Sequence, residues 1–95
     1  MHNKVEFKVA AVSSNTNSFG LYQMILVSRN GEVFTACQSD PPPQGTTVSI
    51  LIGTDGMITS STNFRFEIPQ KLNNAPQYVV EELWEKEVTH NTDKL

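Results

Sequence analysis

The dipeptide Asn30-Gly31 constrains this chain more than any other short stretch, because runs rich in β-branched, aromatic and aliphatic residues flank it on both sides. Asn-Gly tolerates the two positive φ angles of a type I′ turn, so residues 21–38 read as a β-hairpin. A two-residue loop pairs Arg29 with Glu32, Val27 with Phe34, Ile25 with Ala36 and Gln23 with Gln38 on one face. The other face then carries Ser28 with Val33, Leu26 with Thr35, Met24 with Cys37 and Tyr22 with Ser39. Both faces are apolar in the middle. A hairpin lying on one core needs only a single apolar face, so each side calls for a cover.

The rest of the chain extends the β pattern. Lys4 to Ser13 alternates Val5, Phe7, Val9 and Ala11 against Glu6 and Lys8, until Ala10 and Val12 blur the period. Residues 13–18 are a polar connection between strands. Pro41-Pro42-Pro43 ends the third strand, and Gln44-Gly45 turns the chain into a fourth over Thr46 to Ile52. Thr54-Asp55-Gly56-Met57 reads as a second tight hairpin, leading to a short strand from Met57. After a polar interruption at Ser60-Ser61-Thr62, Asn63 to Ile68 alternates strictly, placing Phe64, Phe66 and Ile68 on one face, with Pro69 as terminator.

One helix is expected, over 74–88. Asn73 or Asn74 caps it, Pro76 fits its first turn, and Val80, Leu83, Trp84 and Val88 form one apolar stripe. Glu81, Glu82 and Glu85 line the opposite side. So short a helix is marginal alone in water, so the stripe should dock on the β-structure, with residues 89–95 frayed. The 95 residues then make one mainly β domain: a small antiparallel barrel or curved sheet of five to six strands over 4–68, closed at one side or end by a C-terminal amphipathic helix.

Charge narrows the partner classes. Residues 1–72 are balanced, and the whole net charge of −3 sits in residues 73–95. A neutral β body offers little of the phosphate attraction that dominates nonspecific nucleic-acid affinity. A single cysteine, Cys37, cannot make an intrachain disulfide, and the N-terminal stretch lacks the apolar run of a signal peptide. With no stretch of membrane-spanning length, the expectation is a cytoplasmic protein without membrane contact.

Catalytic and metal signatures are missing from the sequence. His2 and His90 lie near the chain ends, where a general base is poorly held. Hairpin pairing sets Cys37 opposite Met24, as a buried structural thiol. No glycine-rich phosphate loop or zinc spacing occurs. We expect no enzymatic activity, no catalytic residue, no metal and no cofactor.

The order of short strands, a 1-2-3 meander followed by a break and a 4-5 hairpin over residues 4–68, resembles that of OB-type and SH3-like barrels. Where OB barrels often carry a helix between strands three and four, this chain has Asp40-Pro41-Pro42-Pro43-Gln44-Gly45. The resemblance implies single-stranded nucleic-acid binding, with Phe19, Tyr22, Phe34 and Phe64 as stacking platforms and Lys8, Arg29 and Arg65 on phosphate. Phe64 and Phe66 alternate with Arg65 as core residues do, whereas Phe19 lies in a polar loop. Against the nucleic-acid reading stand the neutral charge of the β body and a hairpin apolar on both faces, of which one helix covers one. The first expectation is therefore a non-enzymatic binding or accessory module acting through protein contacts, with a second copy of the chain as the simplest partner. An OB-like single-stranded nucleic-acid binder is the alternative. The candidate binding residues, named for that alternative, are Phe19, Tyr22, Arg29 and Phe34.

Overall fold

The computed structural model describes residues 3–60 and 67–84, with the side chains of 59, 60, 67 and 68 left aside. Six strands build one antiparallel sheet: β1 (Asn3–Val12), β2 (Tyr22–Ser28), β3 (Val33–Gln38), β4 (Thr47–Ile52), β5 (Ile58–Ser60) and β6 (Glu67–Leu72). Their order is β5-β4-β1-β2-β3-β6, with no pairing between the two edge strands among the described residues. Among the described residues the protein is thus mainly β with one helix, and of the two β architectures expected it has the open, curved sheet. A helix, α1, occupies residues 77–84.

The concave face of the sheet holds the larger core. Phe7, Val9, Met24, Leu26, Phe34, Ala36, Val48, Ile50, Ile52 and Ile58 are all buried there. Phe7 and Phe34 come from strands two apart, yet their rings meet edge to face with centroids 5.6 Å apart. Their backbones lie about 9.6 Å apart across β2, a gap that the two side chains close by leaning toward each other. The outer face carries a second cluster in which Val80 and Trp84 of α1 pack on Val27 and Val33, with Ala10, Ala75 and Leu83 at its margin. The two apolar faces of the hairpin therefore have different covers: the curl of the sheet inside, and α1 outside.

The hairpin register differs by one residue from the one expected. Ser28 N donates to Glu32 O at 2.9 Å and Gly31 N to Ser28 O at 3.1 Å, so the loop has three residues, Arg29-Asn30-Gly31. Val27 faces Val33, Leu26 faces Phe34 and Met24 faces Ala36. Only this pairing gathers Met24, Leu26, Phe34 and Ala36 onto the concave face. Cys37 consequently opposes Gln23 and not Met24. It is buried and unbridged.

Two more loops share the construction. Asn17 N donates to Leu21 O and Gly20 N to Asn17 O; Gly53 N donates to Met57 O and Gly56 N to Gly53 O. Gly20, Gly31 and Gly56 have φ of 77°, 88° and 83°, the left-handed third position of a three-residue loop with a glycine bulge. In two of the three, a side chain at the first position ties the backbone down. Ser28 Oγ accepts from the N–H groups of Asn30 and Glu32, and Asn17 Oδ1 accepts from those of Phe19 and Leu21.

The blurred alternation in β1 is a bulge. Its register with β2 shifts between Val9 and Ala11, which returns Val12 to the concave side, where it packs against the core. Val9 also bonds through N–H and C=O to Thr46 and Gly45, tying the proline loop to β1.

Two boundaries are corrected. Pro69 does not end a strand: β6 runs through it from Glu67 to Leu72. The register of β3 with β6 shifts between Thr35 and Cys37, opposite this segment, and an edge strand at a bulge tolerates a missing N–H. The helix starts later than expected, because Val80 N donates to Pro76 O at 3.2 Å. Pro76 therefore sits at the cap and neither asparagine does; Ala75 N instead donates to Gly31 O at 2.8 Å. Phe64, Arg65, Phe66 and Val88 lie outside the described residues.

Candidate functional site

Charge is distributed unevenly between the two ends of the sheet. No charged side chain occurs from Val9 to Ser28, and residues 37–46 contain only Asp40. These segments meet at one end, where Ser13 N donates to Gln23 O and Tyr22 pairs with Gln38; the charges there are Asp40 and, on β6 opposite Cys37, Glu67. The opposite end holds Lys4, Glu6, Arg29 and Glu32, with ion pairs Arg29–Glu6 and Lys71–Glu32, each at 3.7 Å.

The four candidate residues divide between these regions. Phe19 sits on the Asn17–Leu21 turn at the charge-poor end, 77% exposed. Tyr22, half-buried, begins β2 beside it. Arg29 lies beyond the far end of that strand, about 23 Å away at the rise of an extended chain. Its guanidinium faces the Trp84 ring, 4.1 Å from the centroid. Phe34 is fully buried against Phe7. Its place is in the core, so its ring offers no stacking face, which corrects its assignment to a binding surface. Lys8, expected near phosphate, is 3% exposed; its Nζ donates to Thr47 Oγ1 at 3.0 Å and lies 4.7 Å from the Trp84 ring centroid.

What the fold brings together is Phe19, Tyr22 and an apolar hollow that the expected register concealed. Ala11, Val12, Ser13, Gln23, Ile25 and Thr35 line an open hollow of about 250 Å³. Ile25, which pairs with both Ala11 and Thr35, is 38% exposed. The signal that finds it is the alternation of Ile25 with Val27 once Leu26 is matched to Phe34. Phe19 is firmly presented, since its N–H donates to Asn17 Oδ1 at 2.8 Å. Asn17 also reaches the Cys37 sulfur, through Nδ2 at 4.0 Å.

The described residues hold no group of three or more His, Cys, Asp or Glu side chains placed for a metal. No helix among them is long and apolar enough to cross a membrane. The chain matches no protein-family model, no curated protein and no solved structure.

Proposed function

We propose that this chain is a non-enzymatic binding module that acts through protein contacts made by its charge-poor end. The observation that carries the reading is the 77% exposure of Phe19 within segments whose single charge is Asp40. Cores of protein interfaces are depleted in charge and enriched in aromatic residues. Single-stranded nucleic-acid sites instead interleave aromatics with cations. The two described cations of the nucleic-acid reading are engaged elsewhere, Arg29 with Glu6 and Trp84 and Lys8 with Thr47 and Trp84.

The test is a pulldown from an extract of the source cells, with and without nuclease, run beside Phe19→Ser. The expected result is a protein partner retained after nuclease treatment and lost with the variant. Retention of labelled single-stranded oligonucleotide at micromolar concentration, weakening steeply as salt rises, overturns the proposal in favour of nucleic acid.

A further inference from the structure

We infer that the partner of the charge-poor end is a second copy of this chain, joined by reciprocal insertion of Phe19 into the cavity beside Ile25. The inference rests on the protein-binding reading above and names the partner. The knob lies in the β1–β2 connection, and the hole opens on β1, β2 and β3 where that connection leaves the sheet. Phe19 projects from the turn held by Asn17, and Ser13, a few residues earlier in the same loop, lines the cavity.

The two match in size and chemistry. The hollow is open to solvent and holds about 250 Å³ between Ala11, Val12, Ile25 and the flanking polar Ser13, Gln23 and Thr35, room for one phenyl ring laid against Ile25. A two-fold axis sets each patch against its own copy, so any charge in the patch meets the same charge. Val9 to Ser28 bring no charge to the contact, so the like-charge penalty is confined to Asp40 and to Glu67, which pairs with Cys37 on the far side of β3. Two exchanged phenylalanines bury about 300–500 Å² by themselves, less than the roughly 1,200 Å² of a standard interface. The polar loop around them must supply the remainder, and the dimer belongs to the weak, micromolar class.

Sedimentation velocity on the full chain, from micromolar to millimolar concentration, tests this. The wild type should pass from monomer to dimer across that range. Phe19→Ser removes both knobs and Ile25→Glu charges both holes, and each alone should weaken association at least about 30-fold, the loss of one hot spot. An equimolar mixture of the two variants restores one intact contact, Phe19 of one chain in the cavity of the other, and should associate more tightly than either variant alone. Ala11→Phe, which fills the hole without adding charge, is a second block should Ile25→Glu fold poorly. Emission from Trp84, which docks α1 on the sheet, reports whether each variant is folded. A monomer at every concentration, a dimer indifferent to Phe19→Ser, or a mixture no tighter than its components overturns the inference. Monomeric protein that still retains an extract partner through Phe19 removes the second copy while leaving the protein-binding reading in place.

Discussion

Arg29 and Trp84 meet across the seam between the sheet and its helix. The guanidinium carbon lies 4.1 Å from the indole centroid, while the same side chain pairs with Glu6 at 3.7 Å. Trp84 is 4% exposed, and Arg29 is about half exposed. The ring thus has an apolar underside on Val27 and Val33 and a cationic margin formed by Arg29 and Lys8.

Burial should outweigh the cationic contact. Trp84→Ala removes the largest side chain of the outer cluster and is expected to cost about 3–5 kcal/mol. Arg29→Ala loses a half-exposed cation–π contact and a surface ion pair, together about 0.5–2 kcal/mol. Urea unfolding of the two single variants and the double variant gives the coupling directly. A coupling near zero would mean that Arg29 stacks on Trp84 without stabilising the helix. A loss under about 1 kcal/mol for Trp84→Ala would mean that the helix is not docked.

Gly31 serves both the hairpin and the helix, and a pair of variants separates these roles. It has φ of +88°, and a Cβ there would lie 3.3 Å from Ala75 O and 3.6 Å from Val80 Cγ2. Gly20 has φ of +77° with nothing within 4 Å of such a Cβ. Alanine at either position carries the left-handed cost of about 1–2 kcal/mol. Only Gly31→Ala also presses on the backbone that leads into α1. It should be the more destabilising of the two and should shift Trp84 emission, whereas Gly20→Ala should leave that emission unchanged. Equal thermal stabilities would show that the Ala75 contact relaxes without cost.

The sequence made the elements legible because local chemistry specifies them. Alternation marks β1, the glycine turns mark the hairpins, and the Val80, Leu83 and Trp84 spacing marks a docked helix. Register was harder to read. Asn-Gly suits both a two-residue and a three-residue loop, and the difference moves Phe34 from beside Val27 to beside Leu26. The choice is made by tertiary burial, since Leu26 and Phe34 share the concave core with Phe7. The slip hid the hollow beside Ile25, whereas it was the resemblance to OB barrels that set Phe34 on a binding surface. Exposure of Phe19 was visible in its polar, glycine-bearing loop, but Lys8 was not readable as buried, because its neighbours Thr47 and Trp84 are distant in sequence.

Ser28 and Asn17 perform the same local task in different surroundings, so their alanine variants should part company. Each accepts two backbone N–H groups, two and four residues ahead in its turn. Ser28 is completely buried, so the acceptor lost on truncation is not readily replaced by water. The two hydrogen bonds are only partly buried, so losing their acceptor should cost about 1–2 kcal/mol, toward the lower part of the range for unmatched groups. Asn17 is exposed, so solvent can satisfy the N–H groups of Phe19 and Leu21, and Asn17→Ala should cost less than about 1 kcal/mol. Its effect should appear instead in faster amide exchange at Phe19 and Leu21, as the turn that presents the phenyl ring loosens. Denaturant unfolding and native-state hydrogen exchange on both variants decide the matter. If Asn17→Ala proves as destabilising as Ser28→Ala while leaving exchange at Phe19 unchanged, the turn is held by its backbone bonds and core contacts, and Phe19 is not positioned by Asn17.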